Sequence, residues 1–297
     1  MTNNQYQMTS DKRMNSINTI QTRMENIRTI FEDAKNYAAG CDDLDGLIKH
    51  IENTSSEFRS VAYEGAAMSL ALKDFSSNNA LKLWNSLLKI SQHHEGQVHI
   101  GLGWAIAEAK PGDLSFMKTI HSKIAFRVWD GCGYYNGIFR QRQTIKNQTR
   151  QDYISENNFK SYDQGIGRSM WYNCKGHPAK VAETIQTFSV SRQDDLWRGV
   201  GIACSFAGGC DANILSNLFS LAGKNSVHLS LGAIMVAKSR SQANTVTKHI
   251  ELVCKVWCNL SVQDAELLFS KAESSADSFE SFLSKMEAEI TNVNSVV

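Results

Sequence analysis

Six times along the chain a polar or aromatic residue is followed by two small residues two positions apart and then by an apolar, helix-forming stretch. The segments are YEGAAMSLAL at 63–72, HIGLGWAIAE at 99–108, WDGCGYYNGI at 129–138, DQGIGRSMWY at 163–172, WRGVGIACSF at 197–206 and HLSLGAIMVA at 228–237. Aligned on the second small residue, they bring Ala67, Gly103, Gly133, Gly167, Gly201 and Gly232 into register, with spacings of 36, 30, 34, 34 and 31 residues. Spacings of this size mark a helical-hairpin repeat. Between the segments lie amphipathic runs, NNALKLWNSLLKIS, GDLSFMKTIHSK, HPAKVAETIQTF and DANILSNLFSLA, whose apolar positions recur at helical intervals. The pattern predicts an all-α fold of about six helical-hairpin repeats, a HEAT-like α/α solenoid or toroid with terminal capping helices. Each repeat has one inner and one outer helix.

A glycine inside a helix costs about 1 kcal/mol relative to alanine, so two fixed small positions per segment require a structural cause. Close approach of neighbouring inner helices is one; placement of the glycines in the turns before the helices is the other. Residues 140–160, RQRQTIKNQTRQDYISENNFK, are strongly polar where another outer helix is due, and read as an extended polar helix or a surface loop. Residues 1–58 are assigned to an N-terminal helical cap, with two or three helices over 11–58, and residues 59–260 to the repeat core. Residues 261–297 are expected to form amphipathic helices that start at Ser261, with Asp264 as a capping-box acid, and end in a frayed TNVNSVV tail. The three parts are expected to make one structural domain.

Composition narrows the classes. With 42% hydrophobic residues in 297, the chain can bury a sizeable core, and its only prolines, Pro111 and Pro178, leave long helices uninterrupted. Lys plus Arg number 31 against 30 Asp plus Glu, so no global field draws nucleic acid or anionic lipid. Seven cysteines scattered through apolar segments suit reduced thiols rather than a disulfide framework. The N-terminal MTNNQYQMTSDKRMNS lacks the apolar core of a signal peptide, and LSLGAIMVA at 229–237 is too short to span a bilayer. A cytoplasmic protein without a membrane span is expected.

The strings FRSVAYEGAAM, HIGLGWA, WDGCGYYNGIF, YDQGIGRSMW and DLWRGVGIACSFAGG follow one another between residues 56 and 260. In that order they resemble the blocks of a bacterial family of uncharacterised proteins, carrying a domain of unknown function and often labelled enediyne-biosynthesis proteins. The resemblance implies a context, association with polyketide and other natural-product gene clusters. It brings no activity and no catalytic residues with it.

If the inner helices stack in register, equivalent positions form rows about 10 Å apart. Four residues before the aligned small residue the row reads Tyr63, His99, Trp129, Asp163, Trp197, His228. The adjacent row reads Glu64, Ile100, Asp130, Gln164, Arg198, Leu229, and the row just after the small residue contains Trp104, Tyr134 and Arg168. Acids, imidazoles and aromatic faces together suit a pocket for an extended unsaturated or cationic substrate. Asp130, Asp163, His99 and Arg168 are the catalytic candidates. Glu64, Trp104, Trp129, Tyr134, Trp171, Trp197, Arg198 and His228 are the substrate-binding candidates. Against this stands a purely structural use of the same residues: Asp and His cap helix starts, Trp fills space between helices, and Arg168 makes an internal ion pair.

Other chemistries find less support. His249 with Cys254 and Cys258, or His93 with His94, lack a matched second pair of metal ligands, so no metal is expected and the cysteines read as core. Cys132, between Gly131 and Gly133, is a nucleophile candidate without an in-register base, and reads as a structural thiol. GLGWAIAEAKPG and GIGRSMW lack the lysine and spacing of a phosphate loop, so no nucleotide cofactor is implied. The basic run Arg140, Arg142, Lys146 and Arg150 has no interleaved aromatics and reads as a solvated face.

Two functions follow as expectations. One is a cofactor-independent cyclase or isomerase of natural-product biosynthesis, acting on a hydrophobic or unsaturated polyketide, polyene or terpenoid intermediate. The other is a non-catalytic scaffold whose helical surface holds a carrier protein, a pathway enzyme or a hydrophobic intermediate.

Overall fold

The computed structural model describes residues 3–41, 43–77 and 79–295, with side chains described over 16–41, 43–77 and 79–293. Among these residues there are fourteen α-helices and no strand. In chain order they are α1 (Asn3–Gly40), α2 (Leu44–Glu52), α3 (Arg59–Ser77), α4 (Lys82–Ile90), α5 (Glu95–Ala109), α6 (Ser122–Phe139) and α7 (Phe159–Asn173). There follow α8 (Pro178–Gln186), α9 (Val190–Ala207), α10 (Ala212–Ala222), α11 (Ser226–Gln242), α12 (Lys248–Val253), α13 (Val262–Ser275) and α14 (Phe279–Ser295). One hydrophobic core runs from Ile20 to Ile290. No helix among the described residues is long and apolar enough to cross a membrane.

The six small-residue segments lie on α3, α5, α6, α7, α9 and α11, which pack side by side in that order, with α1 against α3. The pair of small residues explains how. Positions i and i+2 of a helix are roughly 200° apart around its axis, so the two glycines face opposite neighbours. A methyl group on Gly165 of α7 would strike the Asp130 carbonyl oxygen of α6, and one on Gly167 would strike the Leu196 carbonyl oxygen of α9. Gly199 and Gly201 of α9 meet Gln164 of α7 and Leu229 of α11 in the same way. The glycines therefore sit within the helices and permit backbone contact on both flanks, which excludes the turn placement. The residue between each pair (Ala66, Leu102, Cys132, Ile166, Val200, Leu231) is fully buried.

Shorter helices cover this row: α4 packs on α3 and α5, α8 on α7 and α9, and α10 on α11. The run GDLSFMKTIHSK forms no outer helix, only a 3₁₀ turn over Ser115–Thr119. The Asp113 carboxylate accepts from both the backbone N–H and the hydroxyl of Ser115, a local closure that competes with helix formation. Of residues 140–160, 140–158 are a loop with a π-helical turn at Arg142–Lys146 and a 3₁₀ turn at Glu156–Asn158, and 159–160 begin α7. The expected frayed tail is instead helical to Ser295, because Met286 and Ile290 are buried along α14; Val296 and Val297 lie outside the described residues. At the other end α1 begins at Asn3, within the expected cap but ahead of the helices expected over 11–58, and Met1 and Thr2 lie outside the described residues.

Candidate functional site

Helix α1 packs closely on α3, where Gly65 meets the Phe31 carbonyl, but stands off α5, α6 and α7. Between it and the C-terminal halves of α5, α6, α7 and α9 is a cavity of about 1010 Å³. Met24, Ile27 and Phe31 of α1 form one wall; Trp104, Tyr134, Ile138, Phe139, Tyr172 and Phe206 form the other. Phe31 and Tyr134 approach Trp104 from two sides, each with ring centroids 4.8 Å away. Charged groups at the edge include Glu25, Arg28, Glu32, Asp33 and Lys175. An apolar cavity of this size with a few convergent polar groups is the form of a small-molecule site.

Those polar groups are Glu64 and Arg168. Position three before and position one after the aligned small residue are roughly 40° apart on a helix, both turned away from the core-facing residue between the glycines. This rotation puts Glu64 of α3, Trp104 of α5, Tyr134 of α6 and Arg168 of α7 on the cavity side. The Arg168 guanidinium lies 4.4 Å from the Tyr134 ring centroid and donates to Asp130 Oδ1 at 3.1 Å. Its Nε has no hydrogen-bond partner among the described residues. Burial disfavours its charge, but Asp130 and Glu64 outweigh that and hold the arginine firmly protonated. Behind it, Asp130 Oδ2 accepts from Gln164 Nε2 at 2.6 Å, and Gln164 Oε1 accepts from Arg198 Nε at 2.6 Å. Arg198 in turn donates to Asp195 Oδ1 at 2.6 Å. Asp130 and Arg198 thus act from behind the floor, fixing Arg168.

Glu64 is differently placed. It has no ion-pair partner among the described residues, and its pKa is raised to about 7. Burial is the main cause; Arg168 opposes it, Asp130 adds to it, and the Trp104 indole N–H favours the charged form without the geometry of a full hydrogen bond. A carboxyl group near neutrality is suited to both taking and giving a proton. The neighbouring Tyr134 hydroxyl is pushed well up by burial and by Tyr172, so it is a neutral donor.

The chain matches the family described as Protein of unknown function (DUF1702) over residues 2–287. It belongs to that family. No curated protein and no solved structure matches this DUF1702 chain.

The remaining sequence candidates of this DUF1702 protein do not line the cavity. The position four before the small residue is about 100° further round the helix than Glu64's, and its row points elsewhere. Asp163 is fully buried between Arg192 and Arg150: Arg192 donates to its two oxygens at 2.7 and 2.9 Å, and Arg150 to both as well. Arg150 is therefore turned inward rather than part of a solvated basic face. His99 bonds the Glu95 carbonyl through Nδ1 at 2.8 Å and stands edge-on to Trp84; burial lowers its pKa to about 4. His228 lies 3.3 Å from Asp194 and 3.4 Å from Glu287, and burial outweighs Asp194 to bring its pKa to about 4 as well. Trp129, Trp171 and Trp197 are buried outside the cavity lining.

Cys132 is fully buried, bonds the Gly103 carbonyl, and has its thiol pKa driven up by burial, so it carries no thiolate. His249 does not converge with Cys254 and Cys258; among the described residues it groups with Cys204 and Cys210. The α1 wall is absent from the sequence candidates. Its apolar positions Ile20, Met24, Ile27, Phe31, Ala34 and Ala38 follow helical spacing and are all buried, and that spacing was the available sign of a packed face.

Proposed function

We propose that this protein is an acid–base enzyme, an isomerase or cyclase acting on an apolar, carbonyl-bearing substrate held in the cavity under α1. The observation that carries this reading is Glu64, a buried carboxyl with a pKa of about 7 beside Arg168 on the floor of that cavity. In its ionised form Glu64 takes a proton from the carbon next to a carbonyl. The C–H electrons move onto the carbonyl oxygen, where Arg168 and the Tyr134 hydroxyl stabilise the enolate charge. Return of the proton to a different carbon completes an isomerisation. Attack of the enolate on a second carbonyl of the same chain, with the proton delivered to the new alkoxide, completes a ring closure. The step needs no group beyond these side chains. Asp130 and Gln164 hold Arg168 in place and act as positioning residues. The resemblance of the inner segments to a family associated with polyketide-type gene clusters supports a poly-carbonyl substrate. We further read the inner row with its outer helices as a helical-hairpin repeat that supplies a rigid floor.

The test uses the purified protein with a panel of long-chain β-keto and 1,3-dicarbonyl probes in D₂O, following deuterium uptake by mass spectrometry. Uptake faster than buffer, rising with pH through about 7 and lost in Glu64→Gln with binding retained, is the expected result. Probes that bind through Arg168 without faster exchange would make the protein a carrier. A panel that neither binds nor exchanges would overturn the assignment of the cavity.

A further inference from the structure

Away from the cavity floor, three donor side chains from separate segments meet. Cys204 is on the last turn of α9, Cys210 lies just before α10, and His249 is on the first turn of α12. One ligand atom from each lies within 4.8 Å of the other two. The chain reversal that makes this possible is Gly208–Gly209, with φ of +76° and +88°, a conformation that side-chain-bearing residues rarely adopt. A methyl group on Gly208 would also press into Arg23. The turn folds Cys210 back until its Sγ is 3.5 Å from that of Cys204.

That separation is well beyond a disulfide bond of about 2.05 Å. It is close to the roughly 3.8 Å that two thiolates adopt across a tetrahedral metal with bonds of about 2.3 Å. Cys204 is fully buried and Cys210 nearly so. His249 donates through Nε2 to the Cys204 carbonyl oxygen at 3.2 Å, which holds its ring beside the two thiols. Arg23 and Arg240 bind the carbonyl oxygens of Ala207 and Phe206, so positive charge is fixed beside the position where two thiolates would form.

We propose that Cys204, Cys210 and His249 form a binding site for a thiophilic d¹⁰ cation, zinc(II) or copper(I). Two sulfurs and one imidazole are soft and borderline donors, the set that selects these ions over magnesium or calcium. Capture breaks two S–H bonds, sends two protons to solvent and forms two metal–sulfur bonds, with no change of oxidation state. The ion ties the end of α9 to α10 and α12. Because α9 carries Phe206 into the cavity wall, the site braces one side of the cavity.

The full-length protein, reduced and freed of metal under anaerobic conditions, is titrated with zinc(II) against a chromophoric chelator. In a second arm it is titrated with copper(I) against a bicinchoninate competitor. One equivalent of one ion is expected to bind, with loss of that binding in Cys210→Ser and His249→Ala, and cobalt(II) substitution is expected to give a sulfur-to-metal charge-transfer band absent from Cys210→Ser. Circular dichroism checks that both variants fold; Cys210 precedes α10 and is the safer of the two thiols to change. If the parent binds neither ion more tightly than Cys210→Ser, the proposal is wrong. A two-hydrogen mass loss on air oxidation with no metal retained would replace it by a dithiol pair.

Discussion

The cavity floor at Glu64 and the packed wall at Asp163 are built from the same parts, a buried carboxylate on an inner helix with arginine nearby, yet they are electrostatic opposites. Asp163 accepts from both Arg150 and Arg192 on each of its oxygens. Glu64 has Arg168 in its neighbourhood, but that guanidinium is committed to Asp130, and Glu64 is left with a pKa of about 7. A buried carboxylate fully bonded to guanidinium groups has nothing left to exchange with a substrate. One left partly unsatisfied beside a cavity stores a protonation equilibrium. The difference separates a structural acid from a chemical one more sharply than position along the helix does.

Breaking the wall should produce the largest effect. Asp163→Asn leaves Arg192, itself buried, and Arg150 facing each other without a compensating charge, which is expected to cost about 3–5 kcal/mol. A fall of that size in the unfolding free energy from urea denaturation, with probe exchange at the cavity unchanged under conditions where the variant folds, is the predicted outcome. Loss of exchange with stability intact would move the chemistry from Glu64 to Asp163.

The sequence carried part of this contrast. Most helix positions, and the six helices that pack side by side, were legible because small-residue pairs and apolar periodicity are local features, whereas the amphipathic run at 112–123 formed only a 3₁₀ turn. The facing of the rows was also encoded, since two glycines fixed on opposite flanks leave only one direction for the residues three before and one after. Glu64, Trp104, Tyr134 and Arg168 satisfy that geometry, whereas His99, Asp163 and His228 do not. Not legible were the partners of Asp163. Arg150 lies in a polar loop and Arg192 at the start of α9, and their inward turn depends on tertiary packing. The Cys204–Cys210–His249 group was equally hidden, because it needs the glycine reversal and the placement of α12 together.

The contrast is sharpest in the pH dependence that Glu64 confers. Its folded pKa of about 7 lies above the ordinary 4.5. The folded state therefore holds the proton over that interval while the unfolded chain has lost it. The stability from this group is full below about pH 4.5 and is lost as pH rises through about 7, a loss of roughly 3 kcal/mol. Glu64→Gln removes the titration. Relative to the parent, the variant should gain in thermal midpoint as pH is raised from 5 to 8.5, with the two curves converging at the acid end. Parallel curves would mean that Glu64 is ionised like a surface acid and unsuited to the proposed proton transfer.

The smallest effect separates the two arginines of the wall. Arg192 is buried and also donates to the Gln148 carbonyl. The Arg150 side chain is 26% exposed and stacks 4.1 Å from the Phe159 ring centroid. Removing Arg150 leaves Asp163 bonded to Arg192, so Arg150→Gln is expected to cost about 1 kcal/mol, a loss that added salt reduces. Arg192→Gln should cost several times more and respond little to salt, since its charge is shielded from ions in solution. Equal losses, measured as urea midpoints at low and high salt, would show that Asp163 depends on both guanidinium groups together rather than chiefly on the buried one.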